Sequence, residues 1–249
     1  MKKRTVTLLV GVCMMAGLLR GEEPVKPEGW ETSLSLGLHA TDGNSRTLLG
    51  NARLTAQREV DEHSFRLGLE GAYGETTIED ELGEETDQTT TQSARAGASY
   101  RRALNGTYFY ADSAVLHDDI AEVDYRATVG VGLGYSLIKS DDTALGLEAG
   151  VGYLWEDVAD VTDEYTTVRV AVLGERRFGK KAKIWESVEY VPRVEEFDDC
   201  LLAAEVGIEA AIDSDVSLQV VVRDRYDSRP APGRKKNDLA VISALSWRL

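Results

Sequence analysis

Apolar and polar residues alternate with a period of two along most of the chain, the pattern of strands that present one apolar and one polar face. Trp30, Thr32, Leu34, Leu36 and Leu38 alternate with Glu31, Ser33, Ser35, Gly37 and His39. Leu145, Leu147, Ala149, Val151, Tyr153 and Trp155 alternate with Gly146, Glu148, Gly150 and Gly152. Leu202, Ala204, Val206, Ile208, Ala210 and Ile212 alternate with Glu205, Gly207 and Glu209. After Trp30 no stretch holds a helical period over three turns. The pattern predicts twelve strands, near 30–41, 46–60, 64–76, 88–103, 107–117, 124–139, 143–156, 164–178, 182–193, 200–213, 215–227 and 237–249. Most are ten or more residues long, against about five or six in an ordinary globular strand. That length suits a tilted strand crossing a bilayer.

The connections are expected to alternate in size. Short turns fall at Asp61-Glu62-His63, Asn105-Gly106, Ser140-Asp141-Asp142, Gly179-Lys180-Lys181 and Asp213-Ser214. Asn-Gly favours the type I′ hairpin, which needs positive φ at both central residues. Longer polar connections are expected over 75–87, 117–124, 156–164, 193–199 and 226–237, while Asp42 to Ser45 is short. Short turns on one rim and long loops on the other describe a transmembrane barrel with periplasmic turns and external loops. An even strand number puts both termini on the turn side.

The fold class expected is therefore all-β: an antiparallel up-and-down transmembrane β-barrel of about twelve strands, over 30–249. The alternative is a soluble sandwich or lipocalin-like barrel with its apolar faces inward. Alternation alone does not say which face is inside. Gly130, Gly132, Gly134, Gly146, Gly150 and Gly152 lie opposite the apolar stripe, which favours a crowded lumen. Aromatic residues give two girdles. Trp30, Tyr100, Tyr108, Tyr135, Phe178, Trp185 and Trp247 are assigned to the turn side. Tyr73, Tyr125, Tyr153, Trp155, Tyr165, Tyr190 and Tyr226 are assigned to the loop side.

Residues 1–21 read as a cleaved signal peptide, with a basic start at Lys2-Lys3-Arg4 and an apolar run from Val6 to Leu19 that is too short to span a bilayer. Residues 22–29 are then a short lead-in. Cleavage would remove Cys13 and leave Cys200 alone, so no intramolecular disulfide is expected. The formal charge of −15 over 249 residues would become −19, since four basic residues precede Glu22. With 28 Lys+Arg against 43 Asp+Glu, a nucleic-acid partner is not expected, because phosphate neutralisation needs clustered basic residues.

Three stretches carry a family resemblance: Leu36-Gly37-Leu38-His39-Ala40-Thr41-Asp42-Gly43-Asn44-Ser45, Tyr125-Arg126-Ala127-Thr128-Val129-Gly130-Val131-Gly132-Leu133-Gly134-Tyr135, and Tyr226-Asp227-Ser228-Arg229-Pro230-Ala231-Pro232-Gly233-Arg234-Lys235-Lys236-Asn237-Asp238. Together they resemble the YdiY-like family of salt-induced outer membrane proteins, long filed as a domain of unknown function. The resemblance covers about Trp30 to Leu249. It implies an outer-membrane barrel of the Gram-negative envelope, and it supplies no established activity or catalytic residues. One departure stands out. Such chains usually end in an aromatic residue read by the outer-membrane assembly machinery, whereas Trp247 stands two places before Leu249.

Candidate chemistry is sparse. His39, His63 and His117 fall on separate segments without metal-ligand spacing. No serine–histidine pairing is evident and Gly130-x-Gly132-x-Gly134 follows strand periodicity. No enzyme, no cofactor and no bound metal centre are therefore expected. Two features remain. The polar face carries both signs, with Arg53, Arg66, Arg95, Arg126, Arg169 and Arg223 beside Glu70, Asp112, Glu148, Glu189, Glu205 and Glu209. These would line a narrow aqueous path or pair into ladders that plug it. Four connections also hold 20 of the 43 acids. Rim candidates are Glu79, Asp80, Glu81, Glu84, Glu85, Asp118, Asp119, Asp157, Asp160, Asp163, Glu195, Glu196, Asp198 and Asp199. Read as loops without compensating basic residues, they would concentrate cations at a pore mouth, or join lipopolysaccharide through Ca²⁺ or Mg²⁺. The basic exception, Arg229, Arg234, Lys235 and Lys236, would pair with this rim or with lipid phosphate. A small passive channel or envelope-integrity barrel is the leading expectation. A structural or adhesive barrel with a plugged lumen is the alternative.

Overall fold

The computed structural model describes residues 29–41, 45–79, 85–179 and 181–249. The expected signal peptide and all of the lead-in except Gly29 lie outside these residues. Twelve antiparallel strands close into one barrel. They are β1 (Glu31–Thr41), β2 (Ser45–Val60), β3 (His63–Glu79), β4 (Glu85–Leu104), β5 (Thr107–Asp118) and β6 (Val123–Lys139). The second half comprises β7 (Thr143–Val158), β8 (Val161–Phe178), β9 (Ala182–Pro192), β10 (Cys200–Ala211), β11 (Val216–Asp227) and β12 (Asn237–Arg248). Each strand pairs with its sequence neighbours, and β1 closes on β12 with Leu36 opposite Leu245. Closure leaves no open sheet edge along the wall, the condition for β-structure in lipid.

The two faces settle which side is in. Leu38, Leu133 and Val241 are 75%, 62% and 65% exposed on the outer wall. Glu148 and Ser246, from the polar face, are 2% and 4% exposed inside. Apolar side chains thus face outward around the barrel, as lipid requires and a soluble barrel would not tolerate.

The connections differ from expectation. Asn105 and Gly106 have φ of 42° and 84°, as the hairpin demands. On the opposite rim, however, β7 and β8 run on to Val158 and Val161. Only Ala159 and Asp160 join them, with φ of 52° and 62°. Likewise β3 and β4 continue to Glu79 and Glu85, still paired. The segments 75–87 and 156–164 are therefore mostly strand. Their Thr, Val and acidic residues read as loop, but each hairpin strand supplies the other's backbone partners, so the ladder continues past the apolar band. The longest connections among the described residues are 193–199 and 228–236.

Candidate functional site: a charged lumen

Strand parity sends every second side chain into the lumen, and register then sets which ones meet. Two halves of the wall do this differently. On the β4–β9 side, Tyr108 and Tyr110 point inward and lie opposite Gly134 and Gly132 in the β5–β6 register. A Cβ on Gly134 would fall within the Tyr108 ring, and one on Gly150 would meet the Tyr110 hydroxyl. The glycines therefore form the bed on which the rings lie. Tyr108 hydroxyl donates to Glu148 Oε1 at 2.9 Å. Glu148 also takes Arg101 at 2.9 Å and Arg169 at 2.7 Å, and Arg169 continues to Glu189 at 2.7 Å. Arg169 also sits over the Tyr110 ring, 5.1 Å from its centroid. Among the described residues Asp112 lies in this half without an ion pair, and its buried Oδ1 has no hydrogen-bond partner.

On the β10–β3 side the filling is ionic. Arg53 reaches Glu70 at 3.2 Å and Glu205 at 3.6 Å. Arg223 pairs with Glu205 at 2.8 Å and crosses to Glu70 on β3. Trp185 donates Nε1–H to Glu205 at 2.9 Å. Glu209 accepts from Gln219 at 2.7 Å, with Lys183 at 3.6 Å. Arg66 donates to Gln57 at 3.3 Å. Arg95 stands opposite Glu70 in register, but the Glu70 carboxylate is engaged by Arg53 and Arg223. Nearer the loop rim, Arg126 joins Glu156 at 2.5 Å and Asp227 at 2.8 Å. Tyr165 donates to Glu156 at 3.0 Å. The Arg126–Asp227 pair links β6 to β11, from one side of the lumen to the other.

All twelve lumen candidates thus project inward. The sequence reading missed Arg101, Tyr108, Tyr110, Glu156, Tyr165, Trp185 and Asp227. Tyr108, Tyr165 and Trp185, expected in the girdles, lie in the lumen instead. Parity was the available signal: Tyr108 shares it with Asp112, Tyr165 with Arg169, and Trp185 with Glu189.

The rim also needs correction, because its acids are not bare. Arg193 holds Asp163 at 2.7 Å, Asp199 at 3.5 Å and Glu195 at 3.8 Å. Arg229 pairs with Glu196, and with Asp199 at 3.4 Å. Arg234 reaches Glu122 at 2.7 Å, tying the 228–236 loop to the 119–122 turn. Lys236 donates to the Ser228 carbonyl at 2.7 Å. Asp118 accepts the Ala121 N–H at 3.1 Å, and Asp119 lies 3.0 Å from His117 Nε2. Asp157 belongs to the outer face of β7 and Asp160 to the tight turn. Asp198 lies in the 193–199 loop, with no ion pair among the described residues. Glu79 and Glu85 are opposite one another in the ladder, whereas Asp80, Glu81 and Glu84 lie outside the described residues. Asp163 sits one step beyond the Trp155–Glu164 row, outside the aromatic girdle. The hydrogen bond from Arg193 holds its carboxyl below the ordinary value of 3.8. Among the described residues no cluster of His, Cys, Asp and Glu is arranged to hold a metal.

The family model for "Protein of unknown function, DUF481", the YdiY-like family, matches residues 34–246. The chain belongs to that family. Among solved structures, this family member is similar to the NanC porin at 11% identity and a TM-score of 0.53, covering 87% of this chain and all of that one. It is also similar to an outer membrane channel from Pseudomonas putida F1 at 10% identity and a TM-score of 0.54, covering 94% and 100% of the two chains. At such identities the likeness is one of fold. No curated protein matches the sequence.

Proposed function

We propose that this DUF481 protein is an outer-membrane barrel, exported by its leader, that acts as a constricted passive conduit for small ions. Ion pairs that cross the lumen carry the reading: Arg126–Asp227 and Arg223–Glu70 brace opposite walls and narrow the path between them. These side chains are 11–25% exposed, and the part of each charge that meets lumen water is screened as salt rises, since the screening length falls from about 10 Å near 0.1 M to about 3 Å at 1 M. Conductance then rises with ionic strength faster than the bulk solution does, in keeping with a role linked to salt. The likeness to a porin and a channel supports the architecture this role needs. Among the described residues no set suggests catalysis. On the outer rim, the carboxylates left exposed beside Arg193 and Arg229 meet lipopolysaccharide through divalent cations.

A second reading, a plugged structural barrel, is favoured by the same cross-lumen pairs if they never open. Planar-bilayer recording of the purified barrel separates the two. The expected result is small conductance at low salt that climbs more steeply than bulk conductivity, and larger low-salt conductance in the Arg126→Gln/Asp227→Asn variant. Silence at every voltage, in the variant as well, would overturn the conduit in favour of the plug. A large conductance strictly proportional to salt would mean an open porin instead.

A further inference from the structure

We propose that the outer wall carries a binding site for one glycerophospholipid, with its phosphate on Arg58, Arg102 and His63 and an acyl chain in the groove above them. This site is independent of how the lumen conducts. It begins at the β2–β3 turn, on the rim where β1 begins and β12 ends. Arg58 lies opposite Phe65 and Arg102 opposite His63, all on the outward face. Arg58 Nε is buried with no hydrogen-bond partner among the described residues. The Arg102 side chain is 53% exposed, and its contact with Glu62 is a long 4.0 Å. His63 Nδ1 and the Tyr100 hydroxyl share a hydrogen bond of 2.8 Å. With the hydroxyl as donor, Nε2–H is left facing outward. Two guanidinium groups and an imidazole, at the level where aromatic residues meet headgroups, fit a phosphate diester.

The groove supplies the other half of the ligand. Two neighbouring outward rows climb obliquely across the wall from this cluster. One runs through Phe65, Tyr100, Ala111, Val131 and Val151, and the other through Leu67, Ala98, Ser113, Val129 and Tyr153. Ala98, Ala111 and Ser113 are too short to fill the rows they occupy. They leave a channel on the barrel surface between Phe65 and Tyr100 at one end and Tyr153 at the other. A general apolar solvent would cover such a surface anywhere. Here the depression ends at Phe65 and Tyr100, beside the basic cluster: Phe65 lies opposite Arg58, and Tyr100 is hydrogen-bonded to His63, so phosphate and chain are held together. The same rim faces the phospholipid leaflet of an outer membrane, which supplies that ligand.

The test is native mass spectrometry of the full barrel in dodecyl maltoside, titrated with dipalmitoyl phosphatidylglycerol. One lipid per barrel is expected to survive. Retention should fall about tenfold, equivalent to about 1.4 kcal/mol, in Arg58→Gln/Arg102→Gln. Ala111→Phe, which fills the groove and keeps the charges, should lower it similarly, and excess inorganic phosphate should not displace the lipid. Heat-modifiable gel mobility verifies that each barrel is folded, and Ser113→Leu replaces Ala111→Phe if that variant does not fold. Unchanged retention in the arginine variant would overturn the site. Displacement by inorganic phosphate together with indifference to the groove variant would overturn the lipid assignment in favour of a phosphate site.

Discussion

The two halves of the lumen are filled by opposite means. Between β4 and β9, rings lie on glycines that face them across a single hairpin: Tyr108 on Gly134, Tyr110 on Gly132. Between β10 and β3, the main contacts are made by long charged side chains, and Arg223 passes over β12, β1 and β2 to find Glu70. The first arrangement follows from local register and forms as soon as two strands pair. In the second, Arg53–Glu70 and Arg223–Glu205 are also hairpin partners, but Arg223–Glu70 and Arg53–Glu205 exist only once the barrel has closed. Contacts of the first kind are steric and unforgiving, whereas those of the second are redundant, since Glu70 and Glu205 each have both Arg53 and Arg223 within reach.

That redundancy gives the sharpest way to break the comparison. Glu148 is the one carboxylate serving both Arg101 and Arg169, and its side chain is 1% exposed. Glu148→Gln leaves the half-buried Arg101 without its ion-pair partner and Arg169 with Glu189 alone, and a loss of about 3 kcal/mol, the lower end for breaking a buried pair, is expected. Arg223→Gln, whose partners keep Arg53, should cost clearly less. Urea-induced unfolding from lipid vesicles, followed by tryptophan fluorescence, measures both. Equal losses would show that the two networks are equally redundant.

A smaller effect tests the steric half. Gly134→Val places carbon where the Tyr108 ring lies, and overpacking of this kind costs about 1–3 kcal/mol. Adding Tyr108→Ala should recover part of that loss. Failure of the double variant to recover any stability, by the same unfolding assay, would show that the ring is not what Gly134 accommodates.

The smallest effect is expected at the rim, where water competes. Asp163 has a carboxyl pKa depressed below 3.8 by the hydrogen bond from Arg193. A depressed carboxylate stabilises fully above its unfolded value and loses that contribution as pH falls through the lower folded value. Acidification from neutral pH to below 3.8 should therefore loosen the 193–199 loop while the lumen networks hold. Hydrogen exchange of the Val194 and Glu196 amides, compared with that of Gly132, reads the difference. Equal acceleration at both places would deny the rim its separate response.

Much of the architecture was legible before any coordinates. Alternation in β1, β7 and β10 placed their faces correctly, because pleating fixes the direction of every second side chain regardless of what it meets. Asn105-Gly106 marked its turn because few residues accept two positive φ values. The expected polar loops are paired strand where Thr and acidic residues continue, since loop-like composition does not reveal that a hairpin neighbour is supplying hydrogen bonds. The girdle assignment of Tyr108, Tyr165 and Trp185 weighed aromatic character above parity, and parity was right.

By itself the sequence determined twelve strands, each with one apolar and one polar face, and a polar face bearing both signs of charge. These are local properties, set by periodicity and side-chain chemistry. The closed barrel decided which face points inward. Only the tertiary structure decided that Arg126 meets Asp227, that Arg223 crosses to Glu70, and that Arg193 gathers acids from β8 and the 193–199 loop. It also decided that the basic residues Arg58 and Arg102, from different strands, stand at the foot of one groove. Pairings between distant strands depend on closure and register around the whole barrel, and no single strand encodes them.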